Sequence, residues 1–202
     1  LVRNHWLALD PDMRGRMNES RSYAQPQVLG EVMQGGTAGE VIESRNPGFA
    51  VGNKVVAYLG WQEYGVSDGT GVFKVDTRHV QLSAYLGSVG MPGVTAWYGL
   101  NRIIEPREGH TIVVSAASGA VGSVVGQLAR IRGLRAIGFA GGAEKCRYVT
   151  EELGFDACID YKSESTHEGL SKRLKEAAPN GVDGYFENVG GAVMNAVLPR
   201  MN

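Results

Sequence analysis

The stretch HTIVVSAASGAVGSVVGQLARIR, residues 110–132, decides the fold of the second half of the chain. The apolar run at its start, 110–117, is bounded by turn signals and suits a strand buried on both faces. Apolar residues then recur at three- and four-residue spacing, which predicts a helix over 119–132 with one buried stripe. The stripe consists of Val121, Val124, Val125, Leu128 and Ile131. A buried strand, a turn of small residues and a helix in this order begin an α/β unit.

The same alternation continues to the end of the chain. Strands are predicted over 134–140, 156–160 and 182–187, and helices over 143–153, 165–177 and 190–200. Strands that alternate with helices form a parallel sheet wound by right-handed crossovers. We therefore predict an α/β fold with a Rossmann-type doubly wound sheet. Because a complete sheet of this type has more strands than are visible, we expect the sheet to be incomplete in this chain.

The first half of the chain has a different pattern. Short apolar runs are separated by glycine, proline and polar clusters, which is typical of strands joined by turns. The predicted strands are VLGEVMQGG (28–36), TAGEVIESRN (37–46), NKVVAYLGW (53–61), QEYGV (62–66) and GVFKVD (71–76). They indicate a small, mostly antiparallel barrel or curled sheet over residues 1–90. A helix is predicted after the Pro92-Gly93 turn, and residues 91–202 form the predicted second domain.

The two ends indicate a longer protein. The chain begins without methionine, inside the predicted strand LVRNHWLALD, and it ends on a predicted helix with no element after it. We expect the domain over 1–90 to be incomplete at its N-terminus and the domain over 91–202 at its C-terminus. Some catalytic residues are then expected outside this sequence.

The composition argues against several classes of function. The 202 residues carry a net charge of −1, with acidic and basic side chains evenly spread, so neither nucleic acid nor a membrane is an expected partner. No apolar run approaches the ~20 residues of a membrane span, and no signal peptide is visible. The two cysteines are too few for a disulfide framework. We predict a cytoplasmic protein.

The turn from Ser115 to Gly126 has the properties of a phosphate-binding turn. Gly119 and Gly122 leave the backbone N–H groups at the helix start open to a pyrophosphate, and the helix dipole attracts the anion. Gly126 is predicted to let the helix pack closely on the strand. Ala117 stands where the usual pattern has its first glycine, and a tight turn without a ligand is the alternative. The position between a strand and a helix favours a dinucleotide.

The second strand indicates which dinucleotide. A unit that prefers NAD ends this strand with an acidic residue, which hydrogen-bonds the ribose 2′-hydroxyl. Here the strand ends at Gly141 and Gly142, and Lys145 follows. Glycines leave room for a 2′-phosphate and the lysine supplies a positive charge. The alternative is a solvated Lys145, with Glu144 in the role of the acid. The pattern favours NADP.

Further motifs resemble a known family. VGMPGVTAWYGL, SAASGAVGSVVGQLA, GGAEKC, LGFDACIDYK and YFENVGG occur in this order. Together they resemble the medium-chain dehydrogenase/reductase superfamily, and within it the zinc-independent prostaglandin reductase and leukotriene 12-hydroxydehydrogenase branch. The resemblance implies a GroES-like barrel domain, an NADP-binding Rossmann domain and, in the full-length protein, a homodimer. It also implies NADPH-dependent reduction of the conjugated double bond of α,β-unsaturated ketones and aldehydes.

The resemblance also assigns cofactor contacts. The pyrophosphate turn corresponds to Gly119, Ala120, Val121 and Gly122, and the lysine of the 2′-phosphate corresponds to Lys145. A tyrosine on the same phosphate corresponds to Tyr161, for which a partly exposed strand-end residue is the alternative. The asparagine of NVGG corresponds to Asn188, for which a turn residue is the alternative.

Zinc is not expected. Cys146 and Cys158 lie in the second half without a neighbouring cluster of cysteines or histidines, and both are interpreted as small buried hydrophobic residues. The histidines are scattered along the chain, at His5, His79, His110 and His167. A protein without zinc lacks the usual Lewis acid for alcohol oxidation.

Two residues are candidates for the catalytic group. The family places a substrate-facing tyrosine where LDPDMRGRM has Asp12, and an ionised aspartate would repel an enolate. Asp12 could donate a proton only if burial raised its pKa well above ~3.9; a solvated or capping aspartate is the alternative. Tyr64 is the next candidate phenol, with a packed barrel aromatic as the alternative. Arg14 and Arg16 are predicted to be solvated rather than to bind a substrate carboxylate.

The rival functions are a zinc-independent quinone reductase and a catalytically weak NADPH-binding regulatory protein.

Overall fold

A computed structural model describes residues 1–19 and 24–202 of the chain. The chain divides into two units, Leu1–Met91 and Pro92–Asn202. The first unit contains an antiparallel sheet and the second a parallel sheet. No helix in the described ranges is long and apolar enough to cross a membrane.

The sheet of the first unit has five strands in the order β4-β1-β2-β3-β5. They are β1 Val2–Leu7, β2 Thr37–Val41, β3 Lys54–Ala57, β4 Tyr64–Gly65 and β5 Phe73–Lys74. A short helix, α1 Asp12–Arg16, follows β1, and a 3-10 turn covers Leu82–Leu86. All paired strands are antiparallel. Val2, Val41 and Val55 form the buried centre of this unit.

One predicted strand is wrong. Residues 28–36 contain no strand, and their apolar side chains Val28 and Leu29 are 57% and 97% exposed. The Gln27 side chain explains the local conformation, because its amide donates to the carbonyls of Val28 and Val32 and accepts from the N–H of Gln34. Side-chain bonds of this kind offer the backbone an alternative to strand pairing.

The second unit follows the predicted alternation, with ends shifted by a few residues. Its strands are β6 Thr111–Val114, β7 Arg135–Ala140, β8 Ala157–Asp160 and β9 Gly184–Phe186. Its helices are α2 Met91–Tyr98, α3 Gly122–Ile131, α4 Ala143–Arg147, α5 His167–Ala177 and α6 Gly191–Val197. Helices α2 and α4 continue as π-helical turns over Gly99–Ile104 and Tyr148–Glu152, and α6 continues as a 3-10 turn over Leu198–Arg200.

Both faces of the parallel sheet are covered. The strand order is β8-β7-β6-β9. Alternate residues of β6 enter different clusters: Ile112 and Val114 pack with Val125 of α3, whereas Val113 packs with Leu174 of α5. Burial on both faces explains why the sequence of β6 is a continuous apolar run. The α/β class with a doubly wound parallel sheet and a separate antiparallel sheet is confirmed.

Candidate functional site

The candidate site lies at the carboxyl ends of the parallel strands. From β6 the chain proceeds to β7 and β8 on one side, while β9 lies on the other side of β6. The order therefore reverses between β6 and β9, and open α/β sheets bind ligands at such a switch point. The predicted cofactor residues follow the ends of these strands: 119–122 follow β6, Lys145 follows β7, Tyr161 follows β8 and Asn188 follows β9.

The turn after β6 is tightly closed. Gly119 N–H donates to Ala116 O at 2.8 Å, and Ser123 N–H donates to Gly119 O at 2.9 Å. A Cβ on Gly122 would lie 2.4 Å from Ala116 O. Backbone cannot yield as a flexible side chain can, so Gly122 is required by the turn itself, whether or not a ligand binds.

The same turn leaves donors available for an anion. Within the described residues, the N–H groups of Ala120 and Val121 have no backbone acceptor. These residues directly precede α3, where the first N–H groups of a helix lack intrahelical partners. A Cβ on Gly119 would meet only atoms of Ala116, at 3.1 Å and beyond, so a side chain there would otherwise occupy open space. Free amides beside open space fit the diphosphate of a dinucleotide.

The prediction for Gly126 needs a correction. A Cβ on this residue would lie 1.9 Å from two atoms of the Phe155 ring. Phe155 precedes β8 and is 4% exposed. Gly126 therefore makes room for an aromatic ring from the loop before β8 rather than for a strand.

A hydrogen-bonded cluster joins the ends of β6 and β9. The buried hydroxyl of Ser115 donates to Glu187 Oε1 at 2.9 Å and accepts from Asn188 N–H at 2.7 Å. Glu187 Oε1 also accepts from the N–H groups of Val189 and Gly190. Burial alone would raise the pKa of Glu187, but the nearby Tyr185 hydroxyl and these donors hold it below its usual value. The cluster fixes the backbone at the switch point.

Asn188 is oriented by the same cluster. Its Nδ2 donates to Ser115 O at 2.9 Å. Its amide oxygen accepts no hydrogen bond from the described part of the chain, and the residue is exposed. The oxygen is thus the group that Asn188 can offer to a ligand.

The ends of β7 and β8 form the second part of the site. Asp160 Oδ1 accepts from Gly142 N–H at 2.7 Å and from Lys162 N–H at 2.9 Å. These two backbone hydrogen bonds lower the pKa of Asp160. The carboxylate at the end of β8 therefore binds backbone N–H groups, one of them from Gly142 of the glycine pair that the sequence analysis assigns to a phosphate.

Tyr161 lies against the same glycines. A Cβ on Gly141 would be 2.7 Å from Tyr161 Oη and 3.1 Å from Lys162 Cε. The Tyr161 side chain thus lies beside the end of β7, as it must if it shares a phosphate contact with the residues that follow this strand. Lys145 and Glu144 are both exposed in the short helix α4. Neither side chain takes part in an ion pair among residues 1–19 and 24–202.

A cavity of about 330 Å³ opens at this edge of the sheet. Its lining includes Ser115 and Ala116 after β6, Phe139 of β7, Tyr161 after β8 and Val189 and Gly190 after β9. Tyr161 is the predicted site residue that lines it, whereas Lys145 and residues 119–122 lie outside its lining. Apolar side chains such as Phe139, Leu170 and Val193 make its lining mostly apolar, as in many ligand pockets.

In the first unit, Asp12 belongs to a polar cluster. Asp12 Oδ2 accepts from Arg16 Nη2 at 3.1 Å within α1, and Arg16 Nη1 donates to the Tyr58 hydroxyl at 2.7 Å. The Arg16 side chain is 16% exposed. The prediction that Arg16 is solvated is therefore wrong, because Asp12 and Tyr58 hold it. Asp12 acts as an ion-pair acceptor in this arrangement.

Tyr64, the other predicted catalytic residue, lies in the short strand β4 opposite Arg3. Its side chain is 47% exposed. The exposure does not fit the alternative of a packed barrel aromatic. Tyr58 is a second candidate phenol that sequence reasoning missed, since only the folded chain brings it to Arg16.

The sequence analysis also missed Ser115, Asp160 and Glu187. Each of them directly follows or ends an apolar strand, in VVSAA, CIDYK and YFENV. Polar residues at the carboxyl ends of parallel strands are a recognisable signal, because these ends meet at one edge of the sheet.

As for metals, the described ranges contain no group of three or more His, Cys, Asp or Glu that could hold an ion. The expected absence of zinc stays a prediction.

Comparison with known proteins places this arrangement in a family. A family model for the N-terminal domain of oxidoreductases matches residues 1–75, and a model described as zinc-binding dehydrogenase matches residues 120–201. The chain is 48% identical over 202 residues to NADPH-dependent curcumin reductase from Escherichia coli (strain K12) and covers 57% of that protein. It is 42% identical over 203 residues to 2-alkenal reductase (NADP(+)-dependent) from Nicotiana tabacum, of which it covers 58%. It is 42% identical over 199 residues to prostaglandin reductase 1 from Oryctolagus cuniculus, of which it covers 54%. These matches span 100%, 100% and 97% of the present chain.

A solved structure agrees with these matches. The crystal structure of CurA from Vibrio vulnificus in complex with NADPH superposes with a TM-score of 0.89 at 49% identity. The match covers 100% of the present chain and 58% of CurA. The chain thus spans a little under three fifths of the length of these relatives. Both units, the switch-point site and the family models agree: the chain belongs to the medium-chain dehydrogenase/reductase superfamily, in the group that contains the prostaglandin reductases.

Proposed function

We propose that this protein reduces the carbon–carbon double bond of α,β-unsaturated ketones or aldehydes, with NADPH as the hydride donor. Residues 1–90 and 91–202 would then be parts of a GroES-like domain and of an NADP-binding domain. The names of the relatives support the proposal, since they include a curcumin reductase, an alkenal reductase and a prostaglandin reductase. The homodimer and the cytoplasmic location stay predictions.

The observation that carries the proposal is the arrangement beyond β7 and β8. The strand that would carry an acidic ribose ligand in an NAD enzyme, β7, ends at Ala140 and is followed by Gly141 and Gly142. The nearby carboxylate of Asp160 is bound to backbone N–H groups. Lys145 remains exposed next to this glycine pair. An open floor with a cation beside it favours a 2′-phosphate over a free hydroxyl.

The rest of a dinucleotide fits the same edge of the sheet. The N–H groups of Ala120 and Val121 would hold the diphosphate, and Gly119 leaves room for it. Tyr161, packed on Gly141, would share the 2′-phosphate with Lys145. Asn188, held by Ser115, would present its amide oxygen further along the cofactor.

Bound NADPH would supply the hydride that adds to the β-carbon of the substrate. The task left to the chain is to stabilise the negative charge on the substrate oxygen by a hydrogen bond. Asp12 is poorly suited, because its carboxylate accepts from Arg16. Tyr58 is better suited, because its oxygen accepts from Arg16 and its own hydroxyl proton stays available to donate. Tyr64 is the second candidate phenol.

Steady-state assays test the function directly. The purified protein is given NADPH with an enone, an enal or a quinone, and loss of NADPH absorbance is followed. We expect kcat/KM to be higher for the enone or enal than for the quinone. A strong preference for the quinone would favour the quinone reductase instead, and no NADPH oxidation with tight binding would favour a regulatory protein.

Two matched variants test the donor. If Tyr58 donates to the substrate oxygen, Tyr58→Phe lowers kcat by about 100-fold, the usual effect of removing one such donor. Tyr64→Phe, which also removes only a hydroxyl group, then changes kcat little. The opposite result would assign the role to Tyr64, and two active variants would exclude both phenols.

A further inference from the structure

The two cysteines of the sequence meet in the folded chain. Cys146 lies in α4 and Cys158 lies in β8, and their sulfur atoms are 3.1 Å apart. Both are free thiols and both are half-buried. The sequence analysis interpreted both cysteines as small buried hydrophobic residues, and both do pack against the core. It did not predict that their sulfur atoms are in contact.

We propose that Cys146 and Cys158 form a reversible disulfide that modifies the adenosine end of the proposed cofactor site. A disulfide has an S–S distance of about 2.05 Å, so the two sulfurs need to approach by only about 1 Å. The bond would join a helix to a neighbouring strand of the same unit. The proposal about the cofactor rests on the proposed function, whereas the formation of the disulfide does not.

The two sulfurs have different environments. Burial, and after it the neighbouring Cys146 thiol and the Asp160 carboxylate, raises the pKa of Cys158. Its S–H is placed to donate to the sulfur of Cys146. Cys146 also lies between two basic residues, Lys145 and Arg147. The thiolate is the reactive form and burial disfavours it at Cys158, so Cys146 reacts first and Cys158 second in the proposed scheme.

A hydroperoxide is the oxidant in this scheme. The Cys146 thiolate attacks one oxygen of hydrogen peroxide, the O–O bond breaks, and the hydroxide that leaves takes up a proton to become water. Cys146 is now a sulfenic acid. The Cys158 sulfur attacks the Cys146 sulfur, the S–O bond breaks, and a second water leaves with the Cys158 proton. Two thiols have lost two electrons and two protons, and one peroxide has become two waters. A dithiol reductant reverses the reaction by exchange.

The disulfide would affect the proposed phosphate site because of where its ends lie. Cys146 directly follows Lys145, and Cys158 is in the strand that ends at Asp160 and leads to Tyr161. Asp160 already binds Gly142 N–H, at the start of α4, at 2.7 Å. A covalent bond would draw α4 towards β8 on the side of the glycine pair, where the floor must stay open for a phosphate. We expect NADPH to bind less well to the oxidised protein than to the reduced protein.

Peptide mapping tests the bond without any cofactor. The purified protein is treated with hydrogen peroxide or with a reductant, alkylated and cleaved with trypsin. Cleavage after Lys145, Arg147 and Lys162 gives a Cys146-Arg147 dipeptide and a peptide of residues 148–162. We expect the two to be linked in the oxidised sample and separate after reduction. Cys146→Ser and Cys158→Ser are matched controls that should each abolish the linked product, and failure to find it in the unmodified sequence overturns the proposal.

Binding measurements test the effect on the site. Oxidation is expected to weaken NADPH binding by about fivefold, the lower end of typical coupling between two sites. By linkage, saturating NADPH must make the disulfide harder to form by the same factor in a thiol/disulfide buffer. The oxidised Cys158→Ser variant should bind NADPH like the reduced protein. Equal NADPH affinity of both redox forms would overturn the effect on the site. If NADPH fails to bind to either form while the linked peptide is found, the proposed function fails and the disulfide stands.

Discussion

Replacement of Gly126 by alanine tests the packing of the helix that supports the glycine turn. The new Cβ would lie 1.9 Å from two ring atoms of Phe155. Carbon atoms in contact are normally about 3.5–4.0 Å apart, so the ring would have to move by about 1.6 Å or more. Phe155 is 4% exposed and belongs to the main core cluster of the second unit, so little free space exists for this movement.

Two opposing terms set the size of the effect. Alanine is favoured over glycine inside a helix by about 1 kcal/mol. Overpacking a filled core typically costs about 1–3 kcal/mol, and a contact with two ring atoms belongs at the upper end of this range. We therefore expect Gly126→Ala to lower the free energy of unfolding by about 1–2 kcal/mol.

A double-mutant cycle with Phe155→Leu separates the two terms. Leucine removes the ring atoms that the new Cβ would meet, so in this background the helix term dominates and Gly126→Ala stabilises by up to about 1 kcal/mol. The free energy of unfolding of the four proteins is measured by urea unfolding. The values are compared where the slope of this free energy against urea concentration is the same in all four. Gln127→Ala, an exposed neighbour on α3, is the control and should stay within about 0.5 kcal/mol. If Gly126→Ala stabilises the protein in both backgrounds, the Phe155 ring does not pack against Gly126.

Two further predictions concern the edge of the sheet. Gly141→Ala places a Cβ 2.7 Å from Tyr161 Oη. Because Tyr161 is partly exposed and can rotate away, we expect the free energy of unfolding to change by less than about 1 kcal/mol. We also expect weaker NADPH binding in a fluorescence titration; unchanged binding would mean that Tyr161 does not contact the phosphate. Glu187→Gln should cost about 1 kcal/mol at neutral pH, where the carboxylate accepts from Ser115 and Gly190. The pKa of Glu187 is lowered in the folded protein, so this contribution is present above the unfolded pKa and is lost as the pH falls through the folded pKa. The stability difference between the two proteins, from urea unfolding at several pH values, should therefore shrink below about pH 4, and a difference that grows there would contradict the sign.

The parallel half of the fold could be predicted from the sequence because its signals are local. A buried strand such as β6 is a continuous apolar run, and α3 shows its apolar stripe at helical spacing. The glycine turn stands between them, so the order of elements also indicated the position of a phosphate. Only the ends of the elements shifted, since helix and strand termini depend on contacts that spacing does not encode.

The features that could not be predicted depend on contacts between distant residues. The run 28–36 has a strand-like composition, but bonds from the Gln27 side chain replace strand pairing there. The ring that requires Gly126 comes from Phe155, and the partner of Cys146 is Cys158 in another element. Packing partners of this kind become visible only once the strands are in register.

The catalytic residue shows the same limit. The sequence made Asp12 a departure from the family pattern and left its role open. The folded first unit adds the Arg16 and Tyr58 contacts, which turn the aspartate into part of a cluster that includes a phenol. A sequence motif could not reveal this cluster, because Tyr58 directly follows β3 and is far along the chain from α1.

We expect Lys145, the cation beyond the second parallel strand, to bind the extra phosphate of NADPH. Lys145 is exposed, so its attraction for a phosphate is close to that in water, about 1 kcal/mol per unit charge at 4 Å. A phosphate charge of about −1.5 to −2 then gives about 1.5–2 kcal/mol, or roughly a 10–30-fold difference in affinity.

The most direct measurement is the ratio of the Kd for NADH to the Kd for NADPH in the unchanged protein, in Lys145→Ala and in Arg147→Ala. We predict that Lys145→Ala lowers this ratio by about 10–30-fold, mainly through weaker NADPH binding, while Arg147→Ala, which removes a positive charge from the same helix, changes it much less. An unchanged ratio in Lys145→Ala, or an equal loss in both variants, would show that Lys145 has no specific contact with the 2′-phosphate.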